Sequence, residues 1–195
     1  MPRSASDSRA RILHEAARLF KAKGYAGTTM DEVAAAAKRN KATVYHYFES
    51  KAELLYTIYI ESAAVALETV RSLPADMPAD EAVAKLIQAH LESIRERPNE
   101  SAVYFHEMAW IKEWLPKPLY KVVREKEALY VAELEALLTR GQRNGTLRDI
   151  DLVAAAQVVT GVISWVSRGR ATGPPLTDLS TQVADILLYG LLARE

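Results

Sequence analysis

Thr29-Met30-Asp31-Glu32-Val33-Ala34-Ala35-Ala36-Ala37, then Lys38-Arg39-Asn40, then Lys41-Ala42-Thr43-Val44-Tyr45-His46-Tyr47-Phe48 is the stretch on which the reading of this chain turns. Thr29 followed three residues later by Glu32 is a capping box. The threonine oxygen accepts from the amide of the third helical residue, whose carboxylate returns to the threonine's own amide. The pair predicts a short alanine-rich helix over about 30–37. The break at Lys38-Arg39-Asn40 separates it from a second short helix, Lys41–Tyr47. Two short helices joined by a tight turn and set between longer ones describe a helix-turn-helix. Its second helix is narrow enough to lie in the major groove of DNA, where base edges can be told apart.

The flanks carry the same period. Upstream, Ile12, Leu13, Ala16, Ala17 and Phe20 mark one face of a first helix, which Gly24 stops. Downstream, Ser50-Lys51-Ala52-Glu53 is a second capping box and opens a long helix to about Arg71. Pro74 and Pro78 mark a loop, and a helix at about 80–96 follows with Val83, Leu86, Ile87, His90, Leu91 and Ile94 on one face. Pro98 stands where a first-turn proline is tolerated and opens one aromatic-rich helix to about Trp114. Pro116 and Pro118 precede a long helix to about Asn144, apolar at Leu119, Val122, Val123, Tyr130, Leu134, Leu137 and Leu138 and ended by Gly145. A valine-rich helix at about 151–169 and a last helix capped by Thr177 complete the chain. The expected fold is all-α with about nine helices: a three-helix head over 1–50 and a helical body over 51–195.

Composition narrows the function. The 195 residues include no cysteine, which removes disulfides, thiolate metal sites and a cysteine nucleophile together. No run approaches the ~18 uninterrupted apolar residues of a membrane span, and Met1–Asp7 is polar, unlike the start of a secretory signal. A cytoplasmic protein without a membrane partner is expected. The net charge of zero hides an asymmetry: residues 1–51 hold ten Lys/Arg against five Asp/Glu, and the rest hold fifteen against twenty. A basic head on an acidic body suits a head that meets a polyanion. His14, His46, His90 and His106 have no metal-ligand spacing. His106 and Glu107, adjacent on a helix, point about 100° apart, a poor acid–base pair. No phosphate loop or nucleophile motif is present, so neither catalysis nor a cofactor is expected.

Within the second short helix, Val44 and Phe48 lie four apart and are expected to face the head's own core. Lys41, Ala42, Thr43, Tyr45, His46 and Tyr47 are left for the outside. Lysine reaches a phosphate or a guanine edge, threonine offers a hydroxyl and a methyl, and tyrosine donates to phosphate oxygens. Lys51 falls in the first turn of the next helix, where free amides and an ammonium together favour an anion. From Arg11-Ile12-Leu13 through Ala16–Phe20, Gly24-Tyr25, Thr28–Ala34 and Thr43–Phe48 to Ser50–Leu55, about 45 residues in one register, the sequence resembles the TetR family of one-component repressors. The resemblance implies DNA contacts at Thr29, Lys41, Thr43, Tyr45, His46 and Lys51, the last a phosphate contact. Thr28, Arg39, Asn40, Ala42 and Tyr47 complete the candidate set. Two departures stand out. Lys38-Arg39 replaces the family's glycine and aliphatic residue in the turn, where a left-handed lysine costs about 1 kcal/mol relative to glycine. Arg39 then reads as an added phosphate contact rather than a core residue. Ala42 replaces a frequent glycine and can touch a thymine methyl.

The resemblance further implies a homodimer on double-stranded operator DNA, with two heads on neighbouring half-sites. The expected dimer surface is Val158, Val162 and Val166 with Leu179, Val183, Ile186, Leu187 and Leu191, a four-helix bundle across a two-fold axis. A largely apolar pocket for a small-molecule effector is expected from His90, Phe105, Met108, Trp110, Trp114, Tyr130 and Trp165. Aromatics at this spacing also serve as ordinary core. Glu107, Gly145-Thr146-Leu147-Arg148, Trp165, Gly173-Pro174 and Leu176 look loosely like the acyl-CoA-sensing branch. Arg168-Gly169-Arg170 can hold phosphates or a carboxylate, or complement a helix C-terminus. The expected function is a repressor that binds a palindromic operator and is released by a hydrophobic effector. Its rivals are a helical protein-binding adaptor, which the capped basic head disfavours, and an all-α enzyme.

Overall fold

A computed structural model describes residues 5–168 and 176–191, with side chains over 7–165 and 181–188. Among these residues the elements are α1 (Ala5–Lys23), α2 (Met30–Ala37), α3 (Lys41–Tyr47), α4 (Lys51–Arg71), α5 (Ala79–Glu96), α6 (Pro98–Glu107), α7 (Ile111–Trp114), α8 (Lys117–Arg143), α9 (Leu152–Arg168) and α10 (Leu176–Leu191), with no β-strand. The all-α expectation holds. The count is ten rather than nine because the helix expected from Pro98 to Trp114 breaks at 108–110. There the Trp110 amide closes a tight turn onto Glu107 O at 2.9 Å. Trp110 then leads into α7 as its first flanking residue, without a side-chain cap.

The chain gathers into two compact units. One takes in the residues up to Ser62 together with Asn99–Arg124; the other takes in Ala63–Pro98 and the chain from Glu125 onward. In the first unit the apolar faces of α1, α2, α3 and the start of α4 close on one core. Ile12, Ala16, Phe20, Val33, Ala37, Val44, Phe48, Leu54 and Leu55 are all buried, and Val103, Ile111, Leu115 and Val123 join them. Each buried Val, Leu, Ile or Phe side chain contributes about 1.5–3 kcal/mol. The Tyr59 ring is buried with them, and its hydroxyl donates to Tyr104 O at 2.9 Å. Gly24 ends α1 with φ +76°, its amide on Phe20 O at 2.8 Å, a conformation that an L side chain resists. Ser50 Oγ accepts from the Glu53 amide at 3.1 Å to start α4. The Glu53 carboxylate reaches back one residue further than a capping box requires, accepting from Glu49 N–H at 2.6 Å.

In the second unit α5 is the central helix. Ala82, Val83, Leu86, Ile87, Leu91 and Ile94 recur at helical spacing and are buried, and α5 packs on α9 and α10. Arg140 ties down the loop before α5, donating to Ala75 O at 2.6 Å and Met77 O at 3.1 Å. Gly141 permits a close approach. A Cβ there would stand 2.5 Å from Leu147 Cδ1 and 2.7 Å from Ala79 Cβ, so any larger residue pushes α8 off its neighbours. No helix among the described residues is long and apolar enough to cross a membrane. The side chains of Val166, Leu179, Leu191, Thr177 and Leu176, the arginine pair around Gly169, and Gly173-Pro174-Pro175 lie outside the described residues.

Candidate nucleic-acid interface

The turn between α2 and α3 is built by backbone bonds despite its unusual residues. Lys38 takes φ 54° and ψ 48°, the left-handed conformation that glycine usually supplies. Its amide donates to Ala35 O at 3.1 Å and the Arg39 amide to Ala34 O at 3.0 Å, the two bonds of a Schellman turn. Lysine therefore keeps the compact turn and carries its strain. At the front of α2 the capping box is complete: Thr29 Oγ1 accepts from Glu32 N–H at 3.2 Å, and Glu32 Oε2 accepts from Thr29 N–H at 2.9 Å. Lys23 Nζ approaches the same carboxylate at 2.6 Å. Lys23 first, then the Thr29 amide, lower the Glu32 pKa to about 2.

Asn40 caps α3. Its Oδ1 accepts from both Thr43 N–H and Thr43 Oγ1–H at 2.7 Å, the usual work of an asparagine before a helix. Val44 and Phe48 point into the core as expected, 0% and 1% exposed. Lys41, Ala42, Tyr45 and His46 are exposed, and Thr43 and Tyr47 are half-buried, so α3 presents one continuous outer face. His46 and Tyr47 stack edge-on at 5.1 Å, and Tyr47 also packs against the core. Lys41 Nζ lies 2.8 Å from Asp31 Oδ1 on α2. That hydrogen bond raises the lysine pKa, and the pair stays open to solvent.

Three candidates are placed differently from a free DNA contact. Thr28 is 1% exposed and donates to Gly24 O at 3.0 Å, so its hydroxyl faces inward. Arg39 is half-buried and donates to Ser8 Oγ at 3.1 Å, tying the turn to α1. Lys51 Nζ donates to Tyr25 O at 2.7 Å and Thr28 O at 2.8 Å, with Ala26 O at 3.4 Å, and it stands 4.3 Å over the Tyr25 ring. Partial burial lowers its pKa. The lysine thus clasps the α1–α2 turn, and only the long bond to Ala26 is easily exchanged for a phosphate oxygen.

Glu107 reinforces that clasp. Its carboxylate accepts from Tyr25 N–H at 3.1 Å and from Trp114 Nε1–H at 3.2 Å, while the Tyr25 and Trp114 rings meet at 5.2 Å. Trp114, expected in the pocket, packs against the core of this unit. Tyr25, Asp31 and Glu107 were not among the candidate contacts, because no local pattern marks a partner many residues away.

The remaining pocket candidates are divided between the two units. Phe105 stacks edge-on against Tyr104 at 5.0 Å, and Met108 and Trp110 are exposed at the α6–α7 turn. In the second unit His90 and Tyr130 are brought together, their rings 5.5 Å apart. Trp165 is 69% exposed. On α9, Ala155, Val159 and Ile163 face the core, while Val158, half-buried Val162 and Trp165 make a second apolar face on the outside. On α10, Ala184 and Leu187 are buried, Val183 is half-buried and Ile186 is 76% exposed.

Two family models match the chain. One, described as bacterial regulatory proteins of the tetR family, covers residues 12–57; the other, a tetracyclin repressor-like C-terminal domain, covers residues 76–191. The chain is 26% identical over 129 residues to YerO of Bacillus subtilis (strain 168), an uncharacterized HTH-type transcriptional regulator; the match covers 64% of this chain and 45% of that protein. It is 22% identical over 187 residues to the fatty acid metabolism regulator protein of the same organism, covering 92% and 93% of the two chains. Among solved structures, the TetR family regulator PfmR of Thermus thermophilus superposes with a TM-score of 0.82 at 26% identity, over 92% of this chain and 98% of that one. AibR in complex with isovaleryl coenzyme A and operator DNA gives 0.80 at 23% identity, over 93% and 98%.

Proposed function

The chain belongs to the TetR family of bacterial regulatory proteins, as a transcriptional regulator with a DNA-binding and a ligand-binding domain, and on that premise we propose that it is a dimeric repressor released from a palindromic operator by a small, largely hydrophobic effector. The observation that carries the DNA role is the outer face of α3. Val44 and Phe48 anchor the helix from inside, which leaves Lys41, Ala42, Thr43, Tyr45 and His46 free to enter a major groove. Thr29, Asn40 and Tyr47 frame that face, and Lys51 meets a phosphate by giving up its longest carbonyl bond. Residues 1–50 are the DNA-binding domain in this reading, and residues 51–195 bind effector and partner.

Dimerisation rests on the second apolar face of α9 and on Ile186. Large aliphatic and aromatic side chains in contact with solvent on two helices support this reading, since a second copy would cover them. The effector shifts a population: one arrangement of the two heads fits the operator, and the effector binds another arrangement better. Acyl-CoA thioesters come first among effector classes, because AibR was solved with one; aromatic compounds come next. A cytoplasmic location follows from the DNA partner.

The test is fluorescence anisotropy with labelled DNA from beside the protein's own gene, combined with sedimentation. Salt-dependent, saturable binding by a dimer, relieved by an acyl-CoA or an aromatic compound, is the expected result. A stable monomer at micromolar concentration overturns the dimer, and a chain that binds no duplex is an adaptor instead.

A further inference from the structure

The rings of His90 and Tyr130 lie 5.5 Å apart, and neither Nε2 of His90 nor the hydroxyl of Tyr130 has a hydrogen-bond partner. Nδ1 of His90 lies 2.8 Å from Leu86 O. A carbonyl only accepts, so the proton of the neutral ring sits on Nδ1. Nε2 is then a bare lone pair that can only accept. It is sealed from solvent and has no hydrogen-bond partner, and the Tyr130 hydroxyl beside it is in the same position. Buried polar atoms are paired in the great majority of folded proteins, and two adjacent exceptions need a cause. Burial lowers the His90 pKa, which keeps the ring neutral at ordinary pH, and raises that of Tyr130, which keeps its proton. Along the same helices Leu86, Ile87 and Leu91 on α5 and Leu134 on α8 are fully buried apolar side chains.

We propose that His90 and Tyr130 are the polar end of the effector site, and that the effector presents there one neutral group that both donates and accepts, an amide or a hydroxyl. The group donates to Nε2 of His90 and accepts from the Tyr130 hydroxyl. This rests on the effector reading above and adds the chemical class. A hydrocarbon satisfies neither atom. An ester or thioester carbonyl accepts from Tyr130 but leaves Nε2 unpaired. A carboxylate brings an unpaired charge into an apolar site. In an acyl-CoA the suitable groups are therefore the amides of the pantetheine arm rather than the thioester.

The test uses the full chain with three fragments of one shape: cyclohexanecarboxamide, cyclohexanol and methyl cyclohexanecarboxylate. Affinities are read by titration, and the His90 ring by 15N NMR. The amide and the alcohol are expected to bind about tenfold more tightly than the ester, since the ester leaves a buried acceptor unmade. They should also move the Nε2 resonance upfield, which the ester does not. His90→Phe should erase the preference, because the acceptor that the ester leaves unpaired is gone, whereas Tyr130→Phe should keep it and weaken all three fragments, since each accepts from the hydroxyl. Tyr130→Phe should leave the melting temperature unchanged or raised, because it removes an unpaired buried hydroxyl. Equal binding of amide and ester overturns the proposal, as does failure of both donor fragments to bind. A Tyr130→Phe variant that melts lower and binds all three fragments as tightly as the wild-type chain overturns it too, since the hydroxyl is then structural. Release of operator DNA is scored separately. A chain that acyl-CoA releases but that shows no fragment preference keeps its effector reading and loses this one. A chain that no ligand releases loses the effector reading whatever the fragments do.

Discussion

In the head, Thr29, Asn40, Lys41, Thr43 and Lys51 each hold a protein partner, whereas in the second unit the inner ends of His90 and Tyr130 hold none. The difference follows from solvent. The head's partnered groups are mostly open to water, so exchanging a carboxylate or carbonyl for a phosphate would cost little. A buried group has no water to exchange with, and its pairing must come from the protein or from a ligand. In the function proposed, the outer face trades its partners for DNA and the His90–Tyr130 pair acquires one from the effector.

Lys51→Ala strikes hardest at the partnered side. It takes the ammonium donor from Thr28 O and from Tyr25 O, which keeps only the Thr28 amide at 3.2 Å, and removes the cation from over the Tyr25 ring. A loss of about 1–3 kcal/mol is expected, seen as a lower melting temperature together with weaker operator binding. A variant that loses affinity at unchanged stability would show that Lys51 serves DNA alone and that the clasp is incidental.

Lys41→Ala should do the reverse. The Lys41–Asp31 pair is exposed, so the melting temperature should stay essentially unchanged. If Lys41 meets a phosphate, the dependence of log affinity on log salt becomes shallower by about one unit per head. If it reads a guanine instead, the salt slope holds and discrimination at one base pair relaxes. Unchanged affinity and slope would take α3's first turn out of the groove.

The contrast between the two lysines also marks what could be read from the chain. The α1 stripe, the Thr29–Glu32 box, the Gly24 stop and the inward Val44 and Phe48 all follow from spacings of three or four residues, because local hydrogen bonds and helical period act at that range. Lys51's acceptors lie 23 to 26 residues away, and Glu107's bond to the Tyr25 amide spans 82. No periodic signal crosses such a distance, so the membership of α6 and α7 in the head's unit was not legible. Nor was the break at Met108-Ala109-Trp110, which contains neither glycine nor proline. On α9 the valines read as one apolar run, and only burial separates Val159, turned inward, from Val158, 50% exposed.

Lys38→Gly tests the strained corner of the partnered side. Relieving a left-handed lysine should add about 1 kcal/mol, or about 2–4 °C in melting temperature for a chain of this size. The two Schellman bonds are backbone bonds and survive the change. Operator affinity should therefore hold. A drop would show that the Lys38 ammonium reaches the phosphates and that its charge is what keeps lysine there.

The smallest effect is the pH response of the α2 cap. The Glu32 pKa is lowered to about 2 by Lys23 and the Thr29 amide. A carboxylate whose folded pKa is depressed stabilises the fold above its unfolded value, near 4.5, and loses that contribution as pH falls toward 2. Glu32→Gln removes the charge but keeps an acceptor for Thr29 N–H. The wild-type chain should therefore exchange its α2 amides more slowly than the variant at pH 6, and the gap should close as pH falls through that window. A gap constant with pH would assign the cap to hydrogen-bond geometry alone. It would also set Lys23–Glu32 apart from Lys41–Asp31, a second lysine–carboxylate pair of the head, as a contact that holds shape without charge.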